Sequence, residues 1–269
     1  MIAVWKHELK NYFHSLTAYI FGAFLLAFIG LGALRYNIQA AVSNFEFVLS
    51  YGCLIFVVIV PILTMRVIAE ERRQKTDQLL YSLPITTVQV VLYAVPLCLI
   101  SLYPLIFSQY GDVYLPSSYC SILAFLVLGA ALIALGMFLS SLTDNQGFAA
   151  GIGIAVILFN YYSVSLSEYV SSTAFGSMVA ICVLILALWG IIRYLTKNET
   201  LAYGVSFLLL AVTVVAYQMD AASFEGLLPK IMTQLSLFER FYVFVNGVFD
   251  MTAIVYYAAV IVFFLFLSV

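Results

Sequence analysis

The sequence predicts an all-α integral membrane protein, a polytopic helical bundle of about eight spans, and three observations predict it. The 269 residues are 65% hydrophobic, with a mean hydropathy of +1.10, against about 45–50% apolar for a soluble domain. Only 9% are charged, where a soluble domain carries about 25%; no soluble fold of this size could bury so much apolar surface. The apolar runs are also continuous, without the alternation of barrel strands. Helices, which satisfy every backbone group internally, are therefore the expected spanning element.

Residues 1–16 are expected to lie on the membrane surface as an amphipathic helix. Ile2, Trp5, Leu9, Phe13 and Leu16 recur at spacings of three or four, while Lys6, His7, Glu8, Lys10, Asn11 and His14 fill the other face. A cleaved signal peptide is the competing reading of Lys6, Lys10 and the apolar run 18–34. That run is long and no A-x-A-like site follows it, which favours an uncleaved first span.

A window of about 20 apolar residues per span yields the eight candidates. They are about Thr17–Leu34, Phe45–Ala69, Thr87–Phe107, Ser118–Leu142, Gly147–Tyr162, Thr173–Leu195, Leu201–Met219 and Met251–Val269. With the N-terminus inside, Lys6, Lys10, Arg66, Arg72, Arg73, Lys75, Arg193 and Lys197 are cytoplasmic, eight of the eleven basic residues. Arg35, Lys230 and Arg240 fall outside, so the positive-inside rule supports this orientation.

Prolines interrupt two spans: Pro61 in the second, Pro96 and Pro104 in the third. Kinked packing is expected, because neighbouring helices can satisfy the freed carbonyls, and a gating hinge is the sharper reading. The fourth and fifth spans are rich in glycine and alanine. Gly147 and Gly151 form a G-x-x-x-G pair that allows close helix approach, here expected within one subunit.

The segment 220–250 is too polar to span and too apolar to be a free loop. Ser236 and Glu239 fit a capping box. Phe238, Phe241, Tyr242 and Val245 then form an apolar stripe that Asn246 and Gly247 end. Leu227, Leu228, Ile231 and Leu235 suggest a second short helix, after Pro229. Two extracytoplasmic helices dipping into the outer leaflet, or a lid on the outer surface, both fit.

Cys53, Cys98, Cys120 and Cys182 each stand alone in or beside an apolar run, as buried or lipid-facing thiols do. No H-E-x-x-H, G-x-S-x-G or Walker G-x-x-x-x-G-K-[ST] is present, so proteolysis and self-contained ATP hydrolysis lack their chemistry. Glu46, Asp112 and Glu168 fall near outer ends, where they are expected to be solvated. Without a central ionisable residue, a proton-coupled carrier is disfavoured. No linker or internal repeat appears, and the chain reads as a single transmembrane domain over 1–269.

One stretch gathers the scarce charge. Glu70, Glu71, Arg72, Arg73, Lys75 and Asp77 follow the second span, and Thr76, Leu79, Leu80 and Leu83 then lead to Pro84. The apolar positions can contact a partner, and the charges can steer and pair with it. A solvated loop that only sets topology is the plain alternative.

Pro61, Leu63, Thr64, Met65 and Arg66, then Ala69, Glu70, Glu71 and Arg72, then Thr76, Leu79, Leu80, Ser82 and Pro84 together resemble the cytoplasmic loop of type-2 ABC exporter permeases. Two further stretches are similar to that family: 140–146, and 235–241 with 247–250. The latter is similar to its gliding-motility-type branch. The resemblance covers most of the chain and makes residues 1–16 an elbow helix and 70–84 a cytoplasmic coupling loop.

The resemblance implies a multi-pass protein of a bacterial cytoplasmic membrane. It implies two permease subunits, identical or related, in the bilayer, bound to two copies of a cytoplasmic ABC ATPase. The ATPase contact would be Glu70, Glu71, Arg72, Arg73, Lys75, Thr76, Asp77, Leu79, Leu80 and Leu83. No catalysis, cofactor, metal or nucleic acid is expected for this chain; ATP and Mg belong to the partner ATPase. Two departures stand out. Eight spans exceed the family's commonest six, and the sequence reaches Val269 inside an apolar run, where a basic tail is expected. A non-transporting scaffold or mechanical component that docks a cytoplasmic ATPase is the alternative function.

Overall fold

A computed structural model describes residues 16–73, 86–143, 145–196 and 199–268. The expected surface helix, apart from Leu16, and most of the loop 70–84 lie outside these residues. All eight apolar segments fold as helix, and no strand occurs among the described residues. The elements are α1 (Leu16–Ala33), α2 (Glu46–Arg73), α3 (Thr86–Ile100), α4 (Leu102–Phe107), α5 (Leu115–Ser141) and α6 (Gln146–Ser167). They continue as α7 (Ala174–Thr196), α8 (Glu199–Met219), α9 (Leu227–Leu235), α10 (Leu237–Val245) and α11 (Met251–Ser268).

Among the described residues five helices are long and apolar enough to cross a membrane: Tyr19–Gln39, Glu46–Thr64, Leu115–Ser141, Gly147–Ser167 and Met251–Ser268. A sixth is added if Tyr203–Met219 and Ala222–Leu235, bent by 118°, count as one. The chain is thus a multi-pass helical membrane protein. It packs as two compact units, Met1–Tyr161 with Leu237–Val269, and Tyr162–Ser236.

The first unit is built around α5. This helix is hydrophobic all round, as a helix enclosed by others must be, and it packs against α2, α3, α4, α10 and α11. Small residues let the neighbours close in on it. A Cβ on Gly129 would lie 2.5 Å from the Tyr93 ring, and one on Gly136 would lie 2.7 Å from the Thr64 hydroxyl oxygen. Elsewhere Gly52 receives Ile29, and Gly153 receives Pro61. The expected pair behaves differently: Gly147 and Gly151 are exposed, and a Cβ on Gly151 would meet nothing within 4 Å. The glycines that carry close approach are those that meet a ring, a β-branched side chain or a proline.

Two of the three prolines leave their helices continuous. Pro61 and Pro96 sit inside α2 and α3. Pro104 does not, because its ring excludes the carbonyl four residues back, that of Ile100. The third span breaks there, at Ser101, into α3 and α4. The loose ends are tied: the Ser101 N–H donates to the Leu97 carbonyl at 2.9 Å, and the Tyr119 hydroxyl donates to the Ser101 carbonyl at 3.1 Å. The first span also runs on past its expected end, as a π-helical turn over Leu34–Gln39.

The second unit is an antiparallel pair, α7 and α8, with α9 beside α7. Arg193 bridges the two helices through Glu199 at 2.6 Å and lies over the Trp189 ring at 5.5 Å. The chain turns sharply after α8, where Gly226 takes φ +67° and its N–H donates to the Ser172 carbonyl at 2.8 Å. That conformation suits glycine, which has no Cβ. The helix α9 begins at Leu227, two residues before the Pro229 expected to precede it, because proline is tolerated in a first helical turn.

The glycine contacts lead to a direct comparison. Gly129→Ala is expected to cost about 1–3 kcal/mol through overpacking against Tyr93. Gly151→Ala should change stability by no more than about 0.5 kcal/mol. Thermal unfolding of the purified variants in one detergent compares the two.

Candidate functional site

The second span, α2, is where the sequence places the functional residues. Its 28 residues are about 42 Å long at 1.5 Å per residue. The hydrocarbon layer is about 30 Å thick, so α2 outruns it even at a usual tilt of about 20°. The excess is about eight residues, which matches the charged run from Arg66 to Arg73. Glu70, Glu71, Arg72 and Arg73 therefore continue the spanning helix without a turn between. Lys75, Thr76, Asp77, Leu79, Leu80 and Leu83 lie outside the described residues.

Toward its other end α2 packs against α10, a nine-residue helix within the first unit. Ser236 precedes α10 with extended backbone, as an N-cap residue does, and Gly247, at φ +78°, follows its end. Neighbouring spans hold the exposed backbone groups of α10. Asn160 Oδ1 of α6 accepts the Leu237 N–H at 3.0 Å. The Tyr257 hydroxyl of α11 donates to the Leu237 carbonyl at 2.7 Å. The Ser121 hydroxyl of α5 donates to the Phe244 carbonyl at 3.1 Å.

These anchors set the depth of α10. Asn160 lies seven residues before the end of α6, while Tyr257 and Ser121 lie six after the starts of α11 and α5. Each is about 9–10.5 Å from its own helix end. Along α5 the contacts step from Phe125, which meets Phe241, to Ser121, which meets Phe244, so α10 runs beside α5 there. Its apolar face meets aromatic rings: Phe241 packs edge-on to Phe125 at 5.9 Å, and Phe238 to Tyr161 at 5.0 Å. Phe125 in turn packs on Phe56 at 4.6 Å. The Tyr93 hydroxyl donates to the Phe125 carbonyl at 2.7 Å. Packed rings fill the bundle beneath α10. Periodicity marked α10 as a helix, but only the partners on three other helices show how deeply it sits.

One carboxylate departs from expectation. Asp112 and Glu168 are exposed, but Glu46, the first residue of α2, is only 2% exposed. The Ser118 hydroxyl donates to its Oε1 at 3.4 Å, and its Oε2 has no partner among the described residues. The sequence shows an acid at the edge of an apolar run, which ordinarily reads as solvated. What buries it is the start of α5, 72 residues away in the chain. The approach to Glu46 is irregular too, through the π-helical turn and Ala41 at φ +52°.

Asp250 opens α11, the helix that carries Tyr257. Its Oδ1 accepts the Thr252 hydroxyl and, at 2.8 Å, the Thr252 N–H. These bonds hold its carboxyl below the ordinary carboxylate value. The four cysteines are unpaired thiols, with Cys53 buried. Among the described residues no three of His, Cys, Asp and Glu group as a metal site would require.

Compared with family models, with curated proteins and with solved structures, the chain matches none.

Two sets of variants probe this region. Asn160→Ala leaves the Leu237 N–H buried without an acceptor, at an expected cost of about 1–3 kcal/mol. Hydrogen exchange should then rise over 237–245 before it rises in α5; unchanged protection there would show that Asn160 does not anchor α10. Ser118→Ala is expected to cost about 1 kcal/mol. Glu46→Gln should cost nothing or stabilise, because it removes a buried anionic group without a full set of donors. Melting temperatures in the reverse order would contradict the burial of Glu46.

Proposed function

We propose that the chain is the membrane-spanning permease subunit of an ATP-binding-cassette exporter of the type-2 class. It moves its substrate with ATP hydrolysed by a separate nucleotide-binding subunit docked on the loop 70–84. The observation that carries this reading is that α2 passes unbroken from the buried core to Arg73. The charged residues of the motif thereby stand on the same rigid rod that packs against α5 and α10.

The number of helices supports the reading as well. In this reading α1, α2, α3 with α4, α5, α6 (which runs on to Ser167, past the first unit) and α11 would make six crossings. Six is the commonest number in the family that the motif resembles. The additional pair, α7 and α8, falls in the second unit and would bring the crossings to eight. It enters the chain between the fifth and last of the six. With the N-terminus and the loop 70–84 in the cytoplasm, α10 lies at the extracytoplasmic end.

In mechanism, the partner ATPases bind ATP and Mg and close, displacing the loop. The end of α2 moves with it, since no turn separates Arg73 from the spanning part. Displacement of α2 against α5 is felt at α10, which packs on both helices. Freed from its anchors on α6, α11 and α5, α10 would clear the outer end of the path. Two such subunits, identical or related, would enclose that path in the bilayer.

Co-expression with a candidate ATPase tests the reading. Leu79→Asp and Leu80→Asp should each abolish co-purification of the ATPase, or lower substrate-stimulated ATP hydrolysis at least about tenfold, an effect of about 1.4 kcal/mol on the coupled state. Membrane insertion should be unchanged. Variants that retain both the complex and its full activity would reject the docking site.

A further inference from the structure

Glu46 is the one buried acid among the described residues, and its chain neighbours Phe45, Val48 and Leu49 are buried with it. No basic side chain pairs with it among the described residues. Arg35 is exposed, and Arg240 lies over the Tyr256 ring at 3.9 Å. The dipole of α2 favours an anion in its first turn, but that effect is a fraction of the hydration that burial removes. An ionised Glu46 therefore calls for a partner that protein groups do not supply.

The polar contacts around it are short of hydrogens. Ser118 Oγ stands 3.4 Å from Glu46 Oε1 and 3.4 Å from the Tyr114 carbonyl oxygen. A hydroxyl has a single hydrogen, so it can donate fully to only one of these two acceptors. Glu46 Oε2 has no hydrogen-bond partner among the described residues. Both 3.4 Å separations also exceed the about 2.5–3.0 Å of an O–H···O hydrogen bond.

They fit the edges of a coordination shell. A cation of the size of Ca²⁺ holds oxygens at about 2.3–2.6 Å, so neighbouring corners of its octahedron lie about 3.3–3.7 Å apart. Mg²⁺, at about 2.0–2.1 Å, would draw them to about 2.8–3.0 Å. Charge then selects among ions of the larger size. Asp112 is exposed, and Asp250 is engaged by Thr252, so Glu46 alone supplies negative charge here. One carboxylate balances one positive charge, and Na⁺ has nearly the size of Ca²⁺ with half its charge.

We propose that Na⁺ binds between the first turns of α2 and α5, held by the Glu46 carboxylate, the Ser118 hydroxyl oxygen and the Tyr114 carbonyl. That carbonyl accepts the Ser118 N–H at 3.3 Å and keeps a second lone pair for the ion. Water completes the shell from the nearby surface, where the Tyr114 side chain is 75% exposed. The ion neutralises the buried carboxylate and ties the start of α2 to the start of α5. The site is independent of the exporter reading, since it needs neither the loop 70–84 nor an ATPase.

The full-length chain in mild detergent, at fixed pH and ionic strength, provides the test as choline chloride is exchanged for NaCl or KCl. The wild-type melting temperature should rise with the logarithm of sodium concentration once the site begins to fill. KCl should act only at higher concentration, because K⁺ is too large for the spacing. Glu46→Gln keeps the shape and removes the charge; it should melt no lower than wild type in choline chloride and lose the sodium response. Ser118→Ala should shift the response to higher sodium, and Asp112→Asn should leave it unchanged.

A second readout needs no variant to fold. Scintillation proximity with radioactive sodium should find about one ion per wild-type chain, displaced by unlabelled NaCl and not by choline chloride. Equal responses to NaCl and KCl, or a sodium response retained in Glu46→Gln, would overturn the proposal. A wild-type melting temperature that ignores sodium, yet moves with pH only while Glu46 is present, would overturn it in favour of a bound proton. A stronger Glu46-dependent response to CaCl₂ would overturn the choice of sodium.

Discussion

A peptide group with no hydrogen-bond partner in hydrocarbon costs several kcal/mol, and the rest of this structure depends on that constraint. Spanning helices meet it along their length by themselves. A short helix buried within a bundle cannot, because its end groups point into its neighbours. Here Asn160 accepts the Leu237 N–H, while Tyr257 and Ser121, on two other spans, donate further bonds to the Leu237 and Phe244 carbonyls. Those same bonds fix where α10 sits. Its contact surface is aromatic, so the closure is packed as well as hydrogen-bonded.

Close approach is the second requirement. Lipid is as apolar as leucine, so helices in a bilayer associate through tight packing and specific polar contacts rather than through exclusion from water. Gly129 and Gly136 on α5 meet this requirement by admitting Tyr93 and Thr64. The Thr64 hydroxyl is itself bonded to the Val60 and Pro61 carbonyls within α2. The kink-prone part of α2 thus lies against a glycine of α5, while Pro61 itself lies against Gly153 of α6. The helix α2 is thus braced at its proline by α6 and at Thr64 by α5.

Much of the fold was legible in the sequence. The eight apolar runs became helices with ends within a few residues of expectation, because a continuous apolar run in hydrocarbon has few alternatives to helix. The two short helices of 220–250 and the stop at Gly247 were legible from capping and turn chemistry. The break at Ser101 was only half visible. Pro96 and Pro104 look equivalent in sequence, yet the helix tolerates the first and breaks ahead of the second, where the Tyr119 hydroxyl of another helix donates to the Ser101 carbonyl. In the candidate site, the charges at 70–73, read as the start of a loop after a span ending at Ala69, instead continue that span's helix. The burial of Glu46 was not legible, because it depends on Ser118 and on the way α5 begins.

Composition and periodicity by themselves determined that this chain is helical, that it lies in a membrane, and where its charge concentrates. These are properties of single segments in their solvent, so local sequence suffices. Only the tertiary structure decided which glycines are contacts and which are surface, which carboxylate is buried, and that α7 and α8 with α9 pack as a unit of their own. Each of these depends on partners distant in the chain, and a segment's own pattern holds no record of what will face it.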